Sequence, residues 1–95
     1  MTREEERVRK GYEVHGRVQG VGFRWSTTRT ARDLGIAGTV RNRADGAVEV
    51  HAEGSARQLR KLEDWLQEGP RAARVRRVEE IPAEEDLPSR FEILR

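Results

Sequence analysis

The sequence contains no cysteine, and this absence excludes disulfide bonds, thiol nucleophiles and thiolate metal ligands. Aromatic residues are also few, with two tryptophans, one tyrosine and two phenylalanines. Modules that bind RNA on a sheet stack bases on exposed aromatic side chains, so this composition disfavours a nucleic-acid partner. No stretch is apolar enough for a signal peptide or a membrane span, which predicts a cytoplasmic protein without a membrane partner.

Neither positive nor negative charge predominates, although charged residues make up 38% of the chain. The 19 lysines and arginines nearly cancel the 17 aspartates and glutamates, leaving a formal net charge of +2. This balance predicts a solvated surface of mixed sign. The 95 residues, of which 35% are hydrophobic, suffice for one modest core and a monomer. Residues 1–10 are mostly charged and are predicted to be a frayed N-terminal tail before a domain of residues 11–95.

Hydrophobic spacing in the first half of that domain predicts a strand, a helix and a hairpin. Tyr12 and Val14 alternate as in a strand. The helix is expected to end at Gly35 because its apolar face recurs every three or four residues, at Phe23, Thr27, Ala31 and Leu34. Two runs, residues 36–43 and 47–52, then flank a turn at residues 44–46 and predict a hairpin.

The second half predicts another helix and two further strands. Ser55 and Gln58 match a capping box, and Gly69-Pro70 is expected to end the helix whose apolar stripe is Leu59, Leu62, Trp65 and Leu66. A fourth strand is predicted at residues 75–81 and a short closing strand at residues 91–93. This order predicts an α+β, ferredoxin-like split βαβ sandwich, βαββαβ with a short closing strand, whose two helices cover one face of an antiparallel sheet.

One glycine-rich stretch, Gly16 to Arg24, falls between the first strand and the first helix. Gly20 and Gly22 can adopt positive φ angles that direct successive N–H groups into one concavity. A helix that starts near Phe23 adds unpaired N–H groups and partial positive charge, and Arg24 adds a planar pair of donors. The same glycines also suit a tight turn that binds nothing, so the loop alone leaves both interpretations open.

The sequence of this stretch, Gly-Arg-Val-Gln-Gly-Val-Gly-Phe-Arg, resembles the signature of the acylphosphatase family and matches it without a gap. The resemblance continues through Gly-Thr-Val-Arg-Asn at residues 38–42, Asp45-Gly46, and Phe-Glu-Ile at residues 91–93. It therefore covers roughly residues 11–95, and two motifs in order are more specific than one. The resemblance implies a hydrolase that converts a small-molecule acyl phosphate to carboxylate and inorganic phosphate, with no metal, no cofactor and no covalent intermediate.

The resemblance further implies that Arg24 and Asn42 are the catalytic residues. The phosphoryl oxygens are expected to contact Arg24 and the backbone N–H groups of Val18, Gln19, Gly20, Val21, Gly22 and Phe23. Asn42, the only asparagine, would hold and orient the attacking water, although an asparagine beside a turn also helps a chain to bend. Direct attack of water on phosphorus is expected, with inorganic phosphate as product and inhibitor.

Several neighbouring residues are predicted to have structural roles. Trp25 could pack on the sheet or flank the ligand, and packing on the sheet is the expected role. The arginines near the loop (Arg17, Arg41 and Arg43) are expected to be solvated. A metal site has little support because His15 and His51 are the only histidines.

Three other functions stay open from the sequence. A phosphate- or anion-sensing module would use the same loop without turnover. An RNA-binding module is disfavoured by the aromatic content. A domain of the kind found at the start of larger carbamoyl-transfer maturation proteins is disfavoured by the short chain.

Overall fold

The structure is a computed structural model that describes residues 6–95. Two helices pack on a sheet of five strands, with bounds β1 (Val8–Arg17), α1 (Phe23–Leu34), β2 (Ala37–Asn42), β3 (Val48–Gly54), α2 (Ala56–Glu68), β4 (Arg74–Ile81) and β5 (Glu92–Ile93). The strands lie in the order β4-β1-β3-β2-β5. The predicted ferredoxin-like α+β sandwich is therefore confirmed. Neither helix in the described part of the chain is long and apolar enough to cross a membrane.

The sheet is mixed, whereas the sequence predicted an antiparallel one. The pairs β1–β3, β1–β4 and β2–β3 are antiparallel, but β5 runs parallel to β2, with Val40 opposite Ile93. The reason lies in the connection after β4. Residues 82–91 carry the chain from one edge of the sheet to the other, past the end at which β4 finishes. Strand β5 therefore starts from that end and runs opposite to β4, in the direction of β2.

Strand β1 begins at Val8, so three residues that the sequence assigned to the tail belong to the sheet. Val8 pairs with Gly54 and packs against the core, and the Arg9 Nε atom lies 2.6 Å from a Glu53 carboxylate oxygen. Alternating charges with one aliphatic residue are a weak signal for a strand. This part of β1 is fixed instead by its pairing partners on β3. Residues 1–5 of the predicted tail lie outside the described residues.

The core lies between the sheet and the buried faces of the two helices, and the local signals that end those helices are confirmed. Gly35 caps α1 with a φ of 77°. At the start of α2, Ser55 Oγ accepts from the Gln58 N–H at 3.1 Å, and Gln58 Oε1 accepts from the Ser55 N–H at 2.7 Å. Phe23, at the start of α1, is buried against Trp65 of α2, with ring centroids 5.5 Å apart.

Charged side chains cover the opposite face of the sheet and form a network centred on Glu49. Its carboxylate is 3.2 Å from Arg41 Nη2, 3.3 Å from Arg43 Nη1 and 2.6 Å from His51 Nε2. Burial alone would raise the pKa of Glu49, but the hydrogen bond with His51 and the charges of Arg41 and Arg43 outweigh it. The pKa of this carboxyl therefore lies below its ordinary value.

We expect Glu49→Gln to lower the free energy of unfolding by about 1–3 kcal/mol near neutral pH, because a buried charged acceptor is lost. Because the pKa of Glu49 is lower in the folded protein, its contribution to stability is fully present above pH 4.5, the pKa in the unfolded chain. That contribution is lost as the pH falls through the lower pKa of the folded protein. Urea unfolding at about pH 6 and about pH 3 measures the difference. An equal difference at both pH values would contradict this account. Glu68→Gln, an exposed change at the end of α2, serves as the control.

Candidate active site

The loop between β1 and α1 has the backbone conformation that the sequence predicted. Gly20 and Gly22 have φ angles of 74° and 78°, in the left-handed region, and the space that a side chain would enter is open at both. Gly22 is also the N-cap of α1, and no side chain caps this helix. The first helical hydrogen bond runs from the Ser26 N–H to the Gly22 carbonyl at 3.0 Å. The N–H groups of the first turn, from Phe23 on, therefore have no acceptor within the helix.

A pocket of about 180 Å³ opens at this loop. It brings Arg24 of α1 together with Asn42, the last residue of β2, as the resemblance implied. The complete lining is Val18, Gly20, Gly22, Phe23, Arg24, Trp25, Asn42 and Ile93. The side chains of Val18 and Phe23 are buried in the core, so these two residues offer the pocket chiefly their backbone.

Two of the residues predicted to bind substrate, Gln19 and Val21, do not line this pocket. Val21 is half-buried and packs against the core. The Gln19 side chain turns to the β2–β3 hairpin, where Nε2 donates to the Arg43 carbonyl at 2.7 Å and to the Ala47 carbonyl at 2.9 Å. Gln19 therefore ties the loop to the residue that follows Asn42, a bridging role that the sequence did not indicate.

Among the residues that line this pocket, Arg24 is the one arginine. Its side chain is half-buried, and within residues 6–95 no acceptor is bound to its guanidinium. Arg41 and Arg43, by contrast, are paired with Glu49, and Arg43 also lies 2.6 Å from Glu13. A half-buried, unpaired guanidinium beside open helix N–H groups has the chemistry of an anion site.

Asn42 carries a second unpaired polar group at the same pocket. Its Oδ1 atom is buried and, among residues 6–95, has no hydrogen-bond partner. Leaving a buried acceptor unpaired costs about 1–3 kcal/mol, so such a group usually serves a bound molecule. A carbonyl oxygen accepts hydrogen bonds, and water is a donor of the right size. The arrangement therefore suits a water molecule held by Asn42 beside an anion held by Arg24.

The expectation that Trp25 packs on the sheet is wrong. Trp25 is 60% exposed and lines the pocket, as does Ile93 from β5, which is 40% exposed. Successive residues of a helix differ by about 100°, so Trp25 points away from the core face on which Phe23 begins. The helical spacing of the apolar residues that follow Phe23 leaves Trp25 off the core face, so the sequence did contain a signal for its exposure. Ile93 had no such signal, because its place depends on the pairing of β5 with β2.

Each histidine lies with two glutamates among the charged side chains of the sheet, apart from the pocket. One group is Glu13, His15 and Glu79, and the other is Glu49, His51 and Glu84. His51 uses both ring nitrogens in hydrogen bonds. Nε2 is 2.6 Å from Glu49, and Nδ1 accepts from the Glu84 N–H at 3.1 Å. A metal ion at His51 would have to replace one of these bonds.

Comparison with known proteins gives one consistent result. The family model described as acylphosphatase matches residues 10–93. The acylphosphatase of Thermococcus kodakarensis is 53% identical over 74 residues, which are 78% of this chain and 81% of that protein.

Two solved structures are similar throughout. The acylphosphatase of Coxiella burnetii has a TM-score of 0.82 and 38% identity and covers 93% of both chains. The acylphosphatase of Bacillus subtilis has a TM-score of 0.80 and 36% identity and covers 92% of this chain and 98% of its own. The similarity therefore includes both the loop and the hairpin that form the pocket.

Proposed function

The chain belongs to the acylphosphatase family and is an acylphosphatase, and on that premise we propose that Arg24 and Asn42 catalyse the hydrolysis of acyl phosphates in the 180 Å³ pocket. One observation carries this assignment. The unpaired guanidinium of Arg24 and the unpaired, buried Oδ1 of Asn42 meet at one pocket, at the uncapped N-terminus of α1. A phosphate sensor needs the first group but has no use for the second.

The phosphoryl group binds first in this mechanism. Its oxygens accept from the backbone N–H groups of Val18 to Phe23 and from the two-pronged guanidinium of Arg24. The backbone N–H groups of Gln19 and Val21 are included in this proposal as part of the same loop, although neither residue lines the pocket. These donors are fixed before substrate arrives, so they stabilise the charge that redistributes in the transition state without reorganising.

Water then attacks phosphorus directly. Asn42 Oδ1 accepts a hydrogen bond from this water and orients it opposite the departing carboxylate, a gain mainly in orientation. The new P–O bond forms as the anhydride P–O bond breaks, and the carboxylate leaves with the electron pair of that bond. A phosphate oxygen of the substrate takes the proton of the water. The products are a carboxylate and inorganic phosphate, and no side-chain base is required.

We also propose that the protein acts as a cytoplasmic monomer, with inorganic phosphate as product and competitive inhibitor. Within residues 6–95 the large apolar side chains that are exposed are Trp25 and Ile93, both at the pocket, which leaves little apolar surface for a subunit contact. The other face of the sheet carries paired charges such as Glu13 and Arg43, and these do not suit base stacking or membrane contact.

The direct test is hydrolysis of acetyl phosphate by the purified protein with excess chelator present. We expect rapid hydrolysis, competitive inhibition by inorganic phosphate, and one solvent oxygen in the released phosphate when the reaction runs in ¹⁸O-water. Loss of activity in chelator would indicate a metal, with the two histidine groups as its candidate ligands. Solvent oxygen in acetate instead of phosphate would contradict attack on phosphorus.

Arg24→Lys should reduce kcat/KM about a thousandfold and weaken phosphate inhibition, because lysine keeps the charge but loses the planar pair of donors. Steady-state kinetics with phosphate as inhibitor measure both effects. Arg60→Lys, the same change on the exposed side of α2, is the matched control. Native kinetics in Arg24→Lys would remove Arg24 from the site.

Asn42→Ala should lower kcat about a hundredfold or more while the inhibition constant of phosphate changes little, because the change affects the water more than the anion. The ratio of the two effects is the informative quantity. If phosphate inhibition weakened as much as kcat fell, Asn42 would be a ligand of the phosphoryl group instead. Gln67→Ala, which removes an exposed amide from α2, controls for the loss of an amide.

A further inference from the structure

A second and larger cavity, of about 570 Å³, opens beside the catalytic pocket. The two cavities share Trp25 and Ile93, whereas Arg24 and Asn42 line the smaller one alone. We name the larger cavity the α1–β5 groove. Its remaining lining residues are Thr28, Arg29, Arg32, Asp33 and Glu92.

The groove is built from regular structure and not from loops. Its α1 residues fall at positions 25, 28, 29, 32 and 33, a spacing that places them along one side of the helix. On the opposite wall, β5 is fixed to β2 by pairing and by the bond from the Leu94 N–H to the Val40 carbonyl at 2.8 Å. Arg32 Nε donates to the Phe91 carbonyl at 3.0 Å and joins the two walls. The two walls of the groove are therefore held together by bonds within the protein.

Its end nearest the catalytic pocket is apolar and exposed. Trp25 and Ile93 are the large hydrophobic residues with high exposure within residues 6–95, at 60% and 40%. The guanidinium of Arg29 lies 5.6 Å from the Trp25 ring centroid and covers part of the ring, which orients it. Exposing an indole and an isoleucine side chain to water is unfavourable, and adjacent exposed apolar side chains beside a catalytic pocket are typical of a ligand contact.

We propose that this groove binds the acyl group of the substrate and that Trp25 and Ile93 favour acyl phosphates with an aromatic or other large apolar acyl group. The inference rests on the proposed function of the smaller pocket. In-line attack requires the leaving carboxylate to lie opposite the water, and the water site at Asn42 is outside the groove. The smaller pocket, at about 180 Å³, is below the volume of an ordinary ligand site, whereas the groove, at about 570 Å³, lies within that range.

The charged residues of the groove do not select for a charged acyl group. Arg29 and Arg32 are balanced by Asp33 and Glu92, so the lining carries both signs and does not favour an acyl group of one charge. Selection should therefore depend on contact with the indole ring and the isoleucine side chain. The phenyl ring of benzoyl phosphate offers a large apolar surface to that contact, whereas acetyl phosphate offers only a methyl group. The two substrates share one phosphoryl group, and their difference in leaving group is the same for every variant, so a change in their ratio between the native protein and a variant reports the groove.

The test is the ratio of kcat/KM for benzoyl phosphate to kcat/KM for acetyl phosphate in the full chain. Trp25→Ala should reduce this ratio about tenfold, as expected for the loss of one apolar contact, and Trp25→Phe should keep most of it. Ile93→Ala should reduce the ratio by a smaller factor. Ile81→Ala, the same truncation in β4 at the opposite edge of the sheet, should leave the ratio unchanged. Thermal unfolding of each variant confirms that the fold is intact.

The outcomes separate the inference from the function on which it rests. Hydrolysis of both substrates with an unchanged ratio in Trp25→Ala and Ile93→Ala would overturn the groove and leave the enzyme intact. An equal loss on both substrates would also overturn it, because Trp25 would then act on the phosphoryl group. No hydrolysis of either substrate by the native protein would overturn the proposed function, and the inference with it.

Discussion

The side-chain amide of Gln19 joins the two segments that make the proposed catalytic pocket. From the loop before α1, its nitrogen reaches two carbonyls at the neck of the β2–β3 hairpin, those of Arg43 and Ala47. These residues are themselves paired through the Arg43 N–H and the Ala47 carbonyl at 2.8 Å. Asn42 immediately precedes Arg43, so its position relative to the phosphate-binding loop is set by these bonds. Orienting a water opposite a leaving group depends on that distance, and small displacements are costly.

The charged network on the other face of the sheet affects the same pocket. Arg43 follows Asn42 and would add positive charge beside the site, but Glu13 and Glu49 pair with it at 2.6 and 3.3 Å. Arg41 is likewise paired with Glu49. Within residues 6–95 Arg24 has no such partner, and its guanidinium donors match the geometry of a phosphoryl group. Pairing on the charged face thus neutralises Arg41 and Arg43, and Arg24 is the arginine that lines the proposed anion site.

What the sequence predicted well was local. The ends of α1 and α2 depend on Gly35, Ser55 and Gln58, and each of these acts within one turn of its own helix. The glycine loop was likewise recognisable because Gly20 and Gly22 determine their own backbone conformation. What it missed depended on distant partners. Val8 is a strand residue because Gly54 lies opposite it, and β5 is parallel because of the course of residues 82–91.

The site itself divides in the same way. Arg24 and Asn42 were predicted from motifs, but their place at one pocket required the hairpin to fold back on the loop, which no local pattern encodes. Packing on the sheet was preferred for Trp25 because an aromatic residue at a helix start usually has a structural role, whereas the helical phase directs this one to the alternative, the pocket. Gln19 was taken as a backbone ligand alone, since its side-chain partners lie 24 and 28 residues further along the chain.

Three consecutive residues at the start of α1 serve three different surfaces. Phe23 is buried in the core, Arg24 enters the catalytic pocket, and Trp25 lines both that pocket and the α1–β5 groove. Successive side chains differ by about 100° around the axis, so one turn of helix presents a core anchor, the proposed anion ligand and the proposed acyl contact. The phase of the helix is fixed by Phe23 against Trp65 and by the left-handed Gly22 before it. A shift of the helix start by one residue would displace all three side chains at once. A change of the exposed Trp25 alone alters the groove and leaves the packing of the core in place.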